Sequence, residues 1–265
     1  MHSSKSLLHN QGTPQEGTPR SDNALLSEDS MPSYQSLPVN ASRVASLRDV
    51  SQELSQPHIN AVIAPSERPP LRMLSDEAQR SLLTHPISLY TPCIQPDSPE
   101  LLLGTLKAAL FPQVNNFSPE DIAFLKTLQE EALYIERILR EQTGNDVNLY
   151  ITTELGVDRG WHCDTAVAAT FKLFGPTTEF LATDSGELEL SSHSLLIDEQ
   201  APIFYPEEHE ILFHYGFPAH EENEANFAKP PLIHRVAERE WNSPLHERHE
   251  VENLHSLTVV ASSLL

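Results

Sequence analysis

Apolar residues fall on helical stripes in the first half of this chain and alternate in short runs through the second. Ile122, Leu125, Leu128, Ala132, Ile135 and Leu139 recur at spacings of three and four, which predicts one long amphipathic helix. Ser118-Pro119-Glu120-Asp121 ahead of it supplies a cap, a proline at the first helical position and acids near the positive helix end, and Gly144 supplies a stop. Ser98-Pro99 opens a second helix in the same way, running to Leu110 before Phe111-Pro112 ends it. Ser75–Leu83 predicts a turn or two of helix, and Val44–Leu54 a short one. A helix with a single apolar stripe packs on something flat, and a sheet is its natural partner.

After Gly144 the period changes to two. Val147, Leu149 and Ile151 alternate with Asn148, Tyr150 and Thr152 and predict a strand, as Ile87, Leu89 and Thr91 do earlier. Ala166–Phe174 is a mostly apolar strand. Glu179–Leu181, Glu187–Leu190, Ser194–Ile197, Ala201–Phe204 and Ile211–Tyr215 follow as short strands, and Leu254–Leu265 closes the chain. Many short strands at such spacing predict a sandwich, barrel or jelly roll. Residues 1 to about 70 keep no period. They are rich in Ser, Pro, Gln and Asn with isolated Leu and Val, too little apolar surface to offset ordering entropy. They predict a disordered or linker arm, a plain tail or a recognition or secretion segment. The folded domain is expected in residues 71–265.

Charge narrows the partners. Lys plus Arg number 17 against 38 for Asp plus Glu, a formal net charge of −21. Phosphate recognition rests on Lys and Arg, so a broad nucleic-acid surface is disfavoured, as is docking on anionic membrane. From Leu173 to Ala228 there is no Lys or Arg at all. A small-molecule, peptide or protein substrate agrees better with that run. Cys93 and Cys163 are the two cysteines, which cannot make a disulfide framework. No stretch of about 18 apolar residues exists. A reducing, cytoplasmic compartment is the expectation, with delivery as an effector left open.

The chemistry concentrates at Trp161-His162-Cys163-Asp164. Residues i and i+2 of extended chain share a face, so one imidazole and one carboxylate can converge on an ion. Two His and one carboxylate on one side of a metal leave open positions on the other, an arrangement suited to non-haem Fe(II), with Zn as the alternative. Cys163 is expected to face away. His209, His214 and His220 lie among acids and could bind Zn or Fe, but without a standard ligand spacing they are expected in a solvated loop; His246, Glu247 and His249 form a second cluster that with His255 is the alternative source of a third ligand. There is no Gly-x-Ser-x-Gly elbow, P-loop or Gly-x-Gly-x-x-Gly.

The order Asn148-Leu149-Tyr150, His162-x-Asp164, Thr178-Glu179-Phe180 and His234-Arg235 resembles the iron- and 2-oxoglutarate-dependent oxygenases. It resembles more closely an uncharacterised bacterial family, domain-of-unknown-function family eighteen-twenty-six, over about residues 85–265. The resemblance implies a distorted double-stranded β-helix (jelly roll, cupin-like), mainly β and packed by N-terminal helices. It implies His234 as the third ligand beside His162 and Asp164, and Asn148 and Tyr150 as hydrogen-bonding partners of a co-substrate. It also implies an Fe(II) dioxygenase activity with 2-oxoglutarate as co-substrate. The oxygenases hold the distal carboxylate of 2-oxoglutarate with Arg or Lys on the final strand. Here Leu254–Ala261 has neither, and Arg248 or His255 would have to serve. The alternatives are therefore a catalytically inactive β-helix acting as a binding or effector module, and a protein that handles Zn or Fe.

Overall fold

The computed structural model describes residues 37–153, 161–164, 166–175, 177–182, 186–189, 194–197, 200–207, 209–216, 229, 231–235 and 257–264. Twelve strands run in chain order among the described residues: β1 Ala41–Arg43, β2 Ala61–Pro65, β3 Ser88–Thr91, β4 Asn148–Thr152, β5 Ala166–Phe174, β6 Glu179–Leu181, β7 Gly186–Glu189, β8 Ser194–Ile197, β9 Ile203–Phe204, β10 Glu210–His214, β11 His234–Arg235 and β12 Leu257–Leu264. The helices are α1 Val50–Leu54, α2 Asp76–Thr84, α3 Pro99–Leu110 and α4 Pro119–Thr143. A seven-stranded mixed sheet in the order β1-β2-β10-β5-β12-β4-β3 dominates; β11-β6-β9 form a three-stranded sheet and β7 pairs with β8 antiparallel in a third. In the large sheet β1 and β2 pair in parallel, and the other ladders are antiparallel. No helix among the described residues is long and apolar enough to cross a membrane.

The alternation read from the sequence divides the large sheet into two faces. Leu149, Ile151, Val167, Ala169, Phe171, Ile211, Phe213, Val259 and Ala261 join the buried face of the helices in one core. Helix α4 lies on that face against β5 and β12, with α3 on α4 and α1 on β2. Its start is the expected capping box: the Ser118 hydroxyl accepts from the Asp121 N–H, and the Asp121 carboxylate accepts from the Ser118 N–H at 2.9 Å. Its end is Gly144 at φ 73°, a left-handed residue that a side chain would strain. The buried stripe is shifted from the sequence expectation. Ile122 is exposed, while Phe124, Leu125, Leu128, Ala132, Ile135, Ile138 and Leu139 are buried. Ile122 sits in the first turn, beyond the reach of the sheet's core.

The opposite face of the large sheet meets the small one over a second cluster: Ala61, Ile63, Phe180, Phe204, Leu212 and Leu232. Strand β2 contributes to both cores, Val62 and Ala64 to the first, Ala61 and Ile63 to the second. This corrects the arm boundary near residue 70. The fold begins before Ala41, because β2 is an interior strand with β1 on one side and β10 on the other. Residues 1–36 of the expected arm lie outside the described residues.

Candidate metal centre

His162 and His234 are neighbours across an isolated antiparallel bridge. The His162 N–H donates to the His234 carbonyl and the His234 N–H to the His162 carbonyl, each at 2.9 Å. This reciprocal pair sets two imidazoles side by side, their ring centroids 4.4 Å apart. Asp164, two residues beyond His162, adds its carboxylate: Oδ1 lies 3.9 Å from His162 Nε2 and Oδ2 3.5 Å from His234 Nε2. One ligand atom from each of the three residues falls within 4.8 Å of the others.

The surroundings fix this geometry. His234 Nδ1 is 3.2 Å from the Leu232 carbonyl. A carbonyl only accepts, so an Nδ1–H directed at it is the tautomer that presents Nε2 to Asp164 Oδ2. Arg235, on the other side of the short strand, donates to Glu179 at 2.8 Å, and its guanidinium lies 4.3 Å over the Trp161 ring. The Thr-Glu-Phe and His-Arg elements, whose Glu179 and Arg235 are 56 residues apart, are thus joined by one ion pair that clamps β11 to β6 beside the site. The Arg235 side chain is committed there. Phe180 is fully buried core.

Electrostatics favours an ionised carboxylate. Burial would raise the Asp164 pKa, but the hydrogen bond and charge of His234 and the charges of His214 and His162 outweigh it and hold the carboxyl well below its usual range. The Cys163 thiol is pushed up to about 12, by burial first and then by the Asp164 charge. Cys163 therefore has the opposite of the electropositive setting that makes a cysteine reactive.

His214 corrects a sequence expectation. It is not in a solvated loop but closes β10, fully buried. Its Nε2 is 3.9 Å from Asp164 Oδ2, and its ring centroid is 4.5 Å from that of His234. Burial and the neighbouring His234 push its pKa down to about 3, with Asp164 opposing them and His162 adding to them. His209 lies in the turn before β10; His220, His246, Glu247, His249, Arg248 and His255 lie outside the described residues.

Strand registers lay out the floor beside the cluster. Ala61, His214, Ala168, Ser262 and Asn148 form one row across β2, β10, β5, β12 and β4. Leu212, Thr170, Val260 and Tyr150 form the next, and Lys172, Thr258 and Thr152 the third. All alternate with the helix-side core, so they share the site's face. Asn148 and Tyr150 are half-buried on it, with Tyr90 opposite Tyr150 on β3. Lys172 is a buried cation that the sequence reading missed. Its ammonium donates to the Thr258 hydroxyl, and burial lowers its pKa to about 8. Each row is about 6.8 Å from the next along an antiparallel strand, so Lys172 starts about 14 Å from the His214 row. The signal was available: a single Lys inside the apolar run Ala166–Phe174, and a single His ending Ile211–Phe213.

No family model matches the chain, and no curated protein matches it. Likeness to the family of unknown function therefore rests on the motifs alone. Among solved structures, a full-length Neurospora crassa protein in complex with alpha-KG is similar at 14% identity and a TM-score of 0.34, over 82% of this chain and 80% of that one. The same protein with alpha-KG and 5-formyluracil is similar at 12% identity and a TM-score of 0.35, over 82% and 78%. With alpha-KG and thymine the values are 12% and 0.34, over 82% and 80%. At this identity and TM-score the likeness is a similarity between chains and assigns no activity.

Proposed function

We propose that this chain is an Fe(II)-dependent dioxygenase of the 2-oxoglutarate type, a hydroxylase built on a distorted double-stranded β-helix (jelly roll, cupin-like). The observation that carries the reading is the convergence of His162, Asp164 and His234, one ligand atom of each within 4.8 Å of the others, with His234 Nδ1 beside the Leu232 carbonyl. Two imidazoles and one carboxylate suit Fe(II) and leave positions open for small molecules. When bound, the iron supplies oxygen activation coupled to oxidation of the co-substrate. The chain's own residues do the rest. His162, Asp164 and His234 hold the ion, and Asn148 and Tyr150 hydrogen-bond the co-substrate. Lys172 takes the role first sought in Arg248 or His255, holding the distal carboxylate with the Thr258 hydroxyl beside it. The substrate is a small molecule, peptide or protein, because the stretch from Leu173 to Ala228, with recurring acids and no Lys or Arg, disfavours a phosphate backbone.

Anaerobic loading with Fe(II), followed by titration with 2-oxoglutarate, tests this. Wild-type protein is expected to bind it saturably, with affinity falling once pH rises past about 8, where the Lys172 ammonium is discharged. A charge-assisted hydrogen bond is worth about 1.5–3 kcal/mol, so Lys172→Met should weaken binding roughly 10–100-fold. Lys172→Arg should bind above that pH as it does below. Equal binding by Lys172→Met removes Lys172 from the site. Metal uptake with no 2-oxoglutarate binding at any pH sinks the dioxygenase reading in favour of an inactive binding module or a Zn- or Fe-handling protein.

A further inference from the structure

We infer that His214 is a fourth metal ligand, so that three imidazoles and one carboxylate hold the ion. The inference rests on the reading that His162, Asp164 and His234 bind metal, and it changes what that site is.

Position is the first argument. His214 comes from β10, whereas His234 lies on β11 and His162 and Asp164 lie on the irregular segment before β5. The Tyr215 carbonyl accepts from the Leu232 N–H at 2.8 Å, which ties the end of β10 to the segment leading into His234. The imidazole is thereby aimed at the cluster. Its Nε2 approaches Asp164 Oδ2 at 3.9 Å, the oxygen that His234 Nε2 approaches at 3.5 Å.

Satisfaction is the second. His214 is completely buried, and among the described residues neither of its ring nitrogens has a hydrogen-bond partner. Buried polar groups without partners are rare because they lose hydration and gain nothing in return. A packing histidine normally ties one nitrogen to a carbonyl, as His234 does with Leu232. His214 does not. An ion at the convergence point would satisfy Nε2 and explain why a polar ring ends an apolar strand.

Four protein donors would leave two octahedral positions open rather than three. A chelating co-substrate would fill both, so further binding would require one protein donor to yield. Three imidazoles would also bias the site away from Mg and Ca, which prefer oxygen.

The test uses the full chain labelled with 15N-histidine and loaded with 113Cd(II), read by NMR for 113Cd–15N coupling on each imidazole. Three coupled imidazoles are expected in wild type, and two in His214→Gln. The wild-type count stands by itself if the variant fails to fold. Coupling to His162 and His234 alone would overturn the inference while leaving the metal centre intact. No coupled imidazole at all would overturn both.

Discussion

Replacing Asp164 with alanine is expected to take the protein from about one tightly held metal ion per chain to none. Among the described residues the carboxylate is the single anion in the cluster of imidazoles, and it remains ionised because His234, His214 and His162 outweigh the effect of its burial. Without it, the cluster offers a divalent ion no negative charge. His162→Ala and His234→Ala should also lose the ion, because each removes one of two adjacent imidazoles. His234→Ala also removes a ring already oriented by the Leu232 carbonyl, so it should be the more severe of the two. Metal content after desalting, by mass spectrometry, gives the answer, with circular dichroism as the check on folding. Unchanged stoichiometry in Asp164→Ala and His162→Ala would mean that the site is wrong.

The largest expected loss of stability lies elsewhere, under the helix face of the sheet. Arg68 and Glu131 form an ion pair at 2.9 Å with side chains only 2% and 4% exposed. The guanidinium lies 4.1 Å over the Phe171 ring, and Glu131 also accepts from the Ser66 hydroxyl at 2.6 Å and the Glu67 N–H at 2.8 Å. Burial lowers the Arg68 pKa to about 10, although Glu131 pulls it back up. Deleting the carboxylate leaves a buried cation without its counter-charge, a loss of about 3–5 kcal/mol. Whole domains are stable by only about 5–15 kcal/mol. Glu131→Ala is therefore expected to shift the urea midpoint far down, and the double variant Arg68→Met with Glu131→Leu to recover most of the loss. A change below about 1 kcal/mol in Glu131→Ala would show that the pair is not desolvated as described.

Much of the fold was legible wherever one face was buried and the other was not. Helix α4 and strand β4 carry clear periods because each has a core side and a polar side. Strand β2 was missed for the opposite reason. Ala61-Val62-Ile63-Ala64 is buried on both faces, so it shows no alternation, and its polar flanks made it look like part of an arm. His162 and Asp164 were legible because extended chain puts i and i+2 together. His234 needed the motif order, since a two-residue strand leaves no period. Lys172 and His214 were not legible from the motifs, because one lies off the final strand and the other fits no standard ligand spacing. Their signal is of another kind: a lone ionisable residue in an apolar strand, which must be either costly or useful.

The most direct measurement is a crystal structure of the protein loaded anaerobically with Fe(II), with the ion located by anomalous scattering. The expected result is one ion with His162, Asp164 and His234 at about 2.0–2.2 Å, His214 as a further donor, and the remaining coordination positions open to solvent. An ion held by other residues, or none at this cluster, would contradict the account.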